Sequence, residues 1–220
     1  MTTPDYSRAA IKAAEILDKY EISSLPVSPI EIFEKAGYNL VSFKDLAHKA
    51  GMHRKDFMDI INQENHDAFS SVLMKDGKAN YLVAYNKKLA KSIIQQRALA
   101  REMAHIVLGH DGSLPETVRN EEALCFSRHL LCPRPFIHAL NEAGVKITVE
   151  VLGSTTGCFE HCLVGMRKTP ATFVPADLNR RIKERFQEYI DELVDCQEYL
   201  AKEDDSMIAN FGTYMDGYEE

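Results

Sequence analysis

A helix that binds a catalytic zinc ion typically carries two histidines four residues apart and a glutamate directly after the first, in the pattern H-E-x-x-H. Residues i and i+4 share one helical face, so both imidazoles reach a single ion about 2 Å away, and the glutamate activates the bound water. The segment ALAREMAHIVLGH keeps this pattern except for its first ligand. Glu102 stands at the position of the general base and His105 at that of the second histidine, whereas Arg101 replaces the first.

A third metal ligand should come from the helix that follows. The segment NEEALCFSRHLLCP offers Glu122, which lies 17 residues beyond His105 (122 minus 105). Zinc accepts carboxylate oxygens as ligands, so Glu122 is the predicted carboxylate of the site. Its neighbour Glu121 is interpreted as a solvated side chain.

Three segments taken in order, YLVAYN, QQRALAREMAHIVLGH and EEALCFSRHLLCP, closely resemble the ImmA/IrrE family of zincin-like metallopeptidases. Members of that family typically show I-x-x-N, then R-x-x-x-A-H-E-x-G-H-x-x-L-x-H, then E-x-E-A-x-x-F-A-x-x-L-L-x-P. The resemblance extends from about Pro26 to about Pro133. It implies that Glu102 is the general base and that His105 and Glu122 are zinc ligands.

The resemblance also implies a biological role. Family members cleave or bind helix-turn-helix repressors, so we expect a regulatory protein of prophage or mobile-element origin whose partner is such a repressor. An active enzyme would use zinc to polarise a peptide carbonyl and its attacking water, with Glu102 carrying the proton to the leaving amine. A degenerate pseudopeptidase would bind the same partner without cutting it.

Arg101 is the departure that favours the pseudopeptidase. A guanidinium group stays charged and has no lone pair to offer, so Arg101 cannot ligate a cation. It could instead form a salt bridge with Glu102 or Glu122 and so replace the ion.

The alternative is an active zinc endopeptidase with a substitute ligand. His129 lies seven residues after Glu122, on the same helical face, and Cys125 lies between them. His110 is five residues after His105, which on an uninterrupted helix is about 140° away from its direction. Any of these three side chains is a candidate.

A second alternative is a DNA-binding regulator. The segment FKDLAHKAGMHRKDFMDII, Phe43 to Ile61, has the spacing of a helix-turn-helix with Gly51 at the turn and basic residues nearby. The simpler interpretation is a surface helix or loop. A net charge of -7 opposes contact with phosphates, so no direct nucleic-acid partner is expected.

The five cysteines form no paired framework, and we predict reduced thiols. Cys158, His161 and Cys162 invite a metal interpretation, but two cysteines four apart more often pack one face of a helix. The N-terminus lacks the pattern of a secretion signal and no apolar run is long enough for a membrane span, so a cytoplasmic location is expected.

Periodicity predicts an α+β fold. Residues 1–145 form the zincin-like domain, with a small, mostly antiparallel sheet packed on a central helix from Lys88 to His110. Residues 146–220 form a helical C-terminal extension with an acidic tail. Thr3 and Ser28 are the predicted caps of the first two helices, and Asp76-Gly77 is the predicted hairpin turn.

Overall fold

The computed structural model describes residues 3–63, 67–75, 78–89, 92–157 and 174–199. Its helices and strands have the following bounds: α1 Tyr6–Lys19, α2 Pro29–Lys35, β1 Asn39–Ser42, α3 Phe43–Lys49, α4 Arg54–Gln63, β2 Ala68–Lys75, β3 Lys78–Tyr85, α5 Ile93–Val107, α6 Glu116–Leu131, α7 Arg134–Glu142, α8 Val149–Thr156 and α9 Ala176–Arg185. Residues 187–199 are helical as well. The predicted α+β class is confirmed.

The sheet is small and mostly antiparallel, as predicted, but it also contains one parallel pair of strands and is therefore mixed. Its strand order is β1-β3-β2, with β2 on the outside. β2 and β3 form the expected antiparallel hairpin, in register from Ala68 opposite Tyr85 to Lys75 opposite Lys78. α3 and α4 carry the chain from β1 to β2 at the opposite edge of the sheet, and β3 then returns between the two, parallel to β1. The predicted turn residues Asp76 and Gly77 lie outside the described residues.

The helix that carries the chemistry is shorter than predicted at both ends. Ser92 caps α5, because its side chain accepts a hydrogen bond from the Gln95 N–H at 3.2 Å. The residues before it, Lys87–Leu89, form a 3₁₀ turn and not the first turn of the helix. At the other end the helix stops at Val107 instead of continuing to His110.

The main hydrophobic core joins α1, α5 and α6. Small residues on α1 and α5, among them Ala13 and Ala100, are fully buried and let the helices approach closely. Phe126 on α6 is also fully buried, and truncating such a side chain to alanine typically costs about 3–5 kcal/mol. The outer strand β2 packs over α5, so the sheet and the central helix form two walls of one cleft.

The start of α1 is held against α6 and differs from the prediction. Asp5, not Thr3, is the cap, and its side chain accepts a hydrogen bond from the Arg8 N–H at 2.9 Å. Aspartate is a stronger cap than threonine, and the Asp5 N–H has a partner of its own on α6, the Glu122 carboxylate. α2 begins as predicted, with Ser28 as its cap.

The segment predicted as a possible helix-turn-helix does form two helices, α3 and α4. They flank Gly51, whose φ of +66° suits a glycine. Phe43 of α3 and Phe57 of α4 are buried against β1 and β3 in a second, smaller core, with ring centroids 6.1 Å apart. The two helices are therefore anchored to the sheet.

The C-terminal helices pack onto α1 and α7. Phe136 and Phe186 place their ring centroids 5.6 Å apart. Arg181 Nη2 lies 2.9 Å from one carboxylate oxygen of Asp18, at the end of α1, and Arg185 Nη2 lies 2.9 Å from the other. Within the predicted helical C-terminal extension, Phe186 forms a turn between α9 and the helical residues 187–199. Among the described residues, no helix is both long and apolar enough to cross a membrane.

We predict that Asp18→Asn weakens this attachment. The hydrogen bond from Arg181 and the charges of both arginines lower the pKa of Asp18 below its usual value. A carboxyl whose pKa is lowered by folding stabilises the protein above its unfolded pKa, and this contribution disappears as the pH falls through the folded pKa. The variant should lose roughly 1–2 kcal/mol of unfolding free energy near neutral pH.

Urea denaturation across a pH series measures this effect. The difference between wild type and variant should shrink in acid. Asp177→Asn is the matched control, because within the described residues Asp177 forms an ion pair with Arg181 but not with Arg185, and its side chain is 66% exposed. Equal losses for both variants would show that Asp18 has no special role.

Candidate functional site

The turn that ends α5 brings His110 back toward His105. Gly109 adopts a φ of +64°, the left-handed conformation that favours glycine. The His110 N–H donates to the His105 carbonyl at 2.9 Å, and the Gly109 N–H donates to the Ile106 carbonyl at 3.1 Å. The predicted separation of about 140° assumed a continuing helix. Because the helix ends, the two histidines lie side by side.

His105, His110 and Glu122 form a hydrogen-bonded series that we call the His–His–Glu chain. His105 Nδ1 lies 2.8 Å from His110 Nδ1, and His110 Nε2 lies 2.9 Å from Glu122 Oε2. The Asp5 N–H donates to the other oxygen, Glu122 Oε1, at 2.8 Å. The side chains of His110 and Glu122 are 0% and 4% exposed. The chain therefore joins α5, α6 and the start of α1 inside the protein.

These contacts are what allow Glu122 to be buried. An unpaired carboxylate away from water costs several kcal/mol, whereas a carboxylate with good hydrogen-bond donors on both oxygens is tolerated. His110 and Asp5 supply one donor to each oxygen. Both Glu122 oxygens are thus engaged by protein groups.

His105 is neutral near pH 7. Burial, followed by the charges of His110, Arg101 and Arg119, lowers its pKa to about 4. The Nε2–H of His110 donates to Glu122, because a carboxylate can only accept. In the tautomer in which His105 Nδ1–H donates to His110 Nδ1, His105 Nε2 is an acceptor.

Glu102 contacts the outer strand of the sheet. Ser70 on β2 donates its hydroxyl to Glu102 Oε2 at 2.7 Å. Sequence analysis missed Ser70, because a single serine in a strand belongs to no motif and only the packing of β2 over α5 brings it to Glu102. The predicted general base is therefore held by a hydrogen bond across the cleft.

The cleft itself has a volume of about 570 Å³. Its walls are β2, one face of α5, the turn after α5 and the first turns of α6. Val72 contributes apolar surface from the strand and Ile106 from the helix, whereas the ring of Phe69 stacks on Phe43 in the second core. Glu102 and His105 both line it. The cleft is thus an open groove along an outer strand, with polar groups on its floor.

Arg101 lies outside this cleft. Its side chain is exposed, and it is not among the residues that line the groove. In the described part of the chain, no salt bridge joins it to Glu102 or Glu122, contrary to the expected replacement of an ion by an ion pair. His110 and Asp5 engage the Glu122 carboxylate, and Ser70 donates to the Glu102 carboxylate.

Two of the three suggested substitute ligands lie away from the site. The Cys125 thiol donates to the Tyr6 carbonyl at 3.6 Å, and burial raises its pKa to about 11, so it is not a thiolate. His129 is 5% exposed and lies two helical turns beyond Glu122, about 10 Å along the axis. His110 is the substitute that the structure places beside both His105 and Glu122.

The donor atoms do not fit a three-ligand zinc site in this arrangement. His110 directs one ring nitrogen to His105 and the other to Glu122, so both are occupied, as are both Glu122 oxygens. Over the described ranges, no group of three or more histidine, cysteine, aspartate or glutamate side chains is arranged to hold a metal ion. The segment with Cys158, His161 and Cys162 lies outside those ranges.

Comparison with protein-family models, with curated proteins and with solved structures finds no match for this chain. The function is therefore inferred from the geometry of the site and from the motifs of the sequence.

We predict that His110→Ala is strongly destabilising. The substitution leaves Glu122 buried with one oxygen unpaired, which should cost on the order of 2–4 kcal/mol of unfolding free energy. The loss should be the same with and without a metal chelator, because it arises from protein hydrogen bonds. Chemical denaturation with and without the chelator measures this loss of unfolding free energy.

His138→Ala is the matched control for this experiment, since His138 is exposed on α7. It should change stability by less than about 0.5 kcal/mol. A chelator that destabilises the wild-type protein as much as His110→Ala does would contradict the interpretation.

Proposed function

We propose that the protein is a metallopeptidase-like regulator of the ImmA/IrrE type that binds a segment of a helix-turn-helix repressor without cutting it. The observation that carries this proposal is the engagement of both Glu122 oxygens by His110 and Asp5. The partner class, the zincin-like fold and a prophage or mobile-element origin follow from the sequence resemblance.

The groove suits an extended peptide. β2 is an edge strand of the sheet, and an edge strand can pair its backbone with an added peptide strand. Val72 and Ile106 line the groove and offer apolar contacts to side chains of such a peptide. In the tautomer in which His105 Nδ1–H donates to His110, His105 Nε2 offers an acceptor to a peptide N–H.

A zinc hydrolase needs a metal ion as its Lewis acid, and the residues of this site are poorly arranged to hold one. Arg101 cannot ligate, and the remaining donors are used in the His–His–Glu chain. Ser70 donates a hydrogen bond to Glu102 and so positions the predicted base, but without a bound ion Glu102 would have no metal-bound water to activate. A repressor segment in this groove would be held or masked, and its peptide bonds would stay intact.

An active zinc endopeptidase is the second candidate. Its substitute ligand would be His110, because His110 lies beside His105 and Glu122, whereas Cys125 and His129 do not. For His110 to ligate an ion together with His105 and Glu122, its ring would have to give up one of its two present contacts. The metal content of the protein distinguishes this candidate from the pseudopeptidase.

A DNA-binding role for α3 and α4 is the third candidate. Lys55 supplies exposed positive charge to α4, but Asp56 and Asp59 are exposed on the same helix. Opposite charges on the helix that would enter the groove of DNA weaken attraction to phosphate.

We predict that the purified protein contains well under one equivalent of zinc and that Arg101→His raises its zinc content. A histidine at position 101 restores the spacing of two histidines four apart, and Arg101 is exposed, so the fold should tolerate the change. Elemental analysis of protein prepared without chelator or added zinc measures the content.

Arg97→His is the control, because it adds a histidine one turn earlier, where the spacing to His105 is wrong. It should leave the zinc content unchanged. A full equivalent of zinc in the wild-type protein, lost in His110→Ala, would establish the active alternative instead.

We also predict that residues 43–61 do not bind DNA. The net charge of -7 repels phosphate, so affinity for a duplex should be weak even at low salt. Fluorescence anisotropy with labelled duplex measures this. Submicromolar binding that weakens when Arg54 and Lys55 are replaced by glutamine would refute the prediction.

A further inference from the structure

Arg119 is the one lysine or arginine among the described residues that line the cleft. It lies on α6, one turn before Glu122, and it is half-buried. The acidic side chains that line the same cleft are Glu102, Asp111 and Glu116. A single cation among three carboxylates would ordinarily be expected to pair with one of them.

No such pair forms in the described part of the chain. Glu102 accepts from Ser70, and Asp111 accepts from the backbone and the hydroxyl of Ser113. The Nε of Arg119 is buried without a hydrogen-bond acceptor. Buried donors in proteins are nearly always satisfied, so a guanidinium left in this state needs an explanation.

The charge of Arg119 acts within the cleft. It contributes, after burial and the charges of His110 and Arg101, to the lowered pKa of His105. It also contributes, after the hydrogen bonds from Ser113, to the lowered pKa of Asp111. Arg119 therefore lies close enough to both sides of the groove to act on a ligand between them.

We propose that Arg119 selects the ligand of the cleft by binding a carboxylate, so that the preferred ligand is an extended peptide with an acidic group opposite Arg119. This inference rests on the proposed peptide-binding function and adds a preference for peptides that carry an acidic group. A planar guanidinium matches a carboxylate with two parallel hydrogen bonds, and a carboxylate arriving from the groove would give Arg119 the acceptor it lacks.

The surroundings favour a carboxylate over a phosphate. Three acidic side chains line the groove, so a group with nearly two negative charges would be repelled more strongly than one with a single charge. In a strand paired with β2, alternate side chains point to the same face, so one position in two would face the helices. The acidic group should therefore occupy one fixed position in the peptide.

The test is selection of random peptides displayed on phage against the immobilised full-length protein. One library presents peptides with free C-termini, and a second presents them with both ends fused. Enrichment of aspartate or glutamate at one position in both libraries identifies a side-chain carboxylate. Enrichment only in the first library identifies the carboxylate of a chain end.

Variants then assign the selection to Arg119. Arg119→Gln should weaken binding of a selected peptide about ten- to a hundredfold, as expected for loss of a hydrogen bond to a charged group. Arg119→Glu should select peptides with lysine or arginine at the same position. Arg128→Gln is the matched control: Arg128 also lies on α6 with a buried Nε that lacks an acceptor, but it does not line the cleft.

The outcomes separate this inference from the function on which it rests. Selected peptides without acidic enrichment, bound equally by wild type and Arg119→Gln, would overturn the role of Arg119 and leave peptide binding intact. Failure of the wild-type protein to select any peptide would overturn both. Unchanged melting temperatures of the variants show that altered binding does not come from unfolding.

Discussion

The site depends on one backbone turn. Gly109 takes a left-handed conformation that ends α5, and the hydrogen bond from His110 N–H to the His105 carbonyl closes it. With one more turn of helix, His110 would face away, and Glu122 would lose the donor on its second oxygen. The burial of the Glu122 carboxylate between α5 and α6 depends on this turn, and the buried carboxylate in turn accepts from the Asp5 N–H at the start of α1.

The His–His–Glu chain links separate helices at one point, as a metal ion does in a metal site. It joins three helices at one buried point and satisfies a charge in the interior. Its geometry is directional, since each hydrogen bond needs a donor and an acceptor in line. His105 and His110 of this chain line one side of the groove, and β2 forms the opposite wall. A bound peptide would contact both surfaces.

Sequence patterns were informative where local rules decide the outcome. The β2–β3 hairpin, the cap at Ser28 and the likeness of Glu102, His105 and Glu122 to a known motif could all be predicted from the sequence. The position of His110 was not, because its direction depended on whether the helix ended before it. Ser70 and Arg119 were missed for a different reason. They reach the site only through packing of elements distant in sequence, and no periodicity encodes such contacts.

The contact between Asp5 and Glu122 has a consequence for how the protein folds. The two residues are 117 positions apart, so the loop they close includes the whole sheet and the central helix α5. Contacts of such separation form late, because the entropy of closing the loop must be met before they contribute. The hydrogen bonds of the His–His–Glu chain should therefore be complete only after α1 packs against α6. Fraying of α1 in the native state would expose Glu122 to solvent while most of the core remains intact, so amide exchange at Asp5 would report on the integrity of the site.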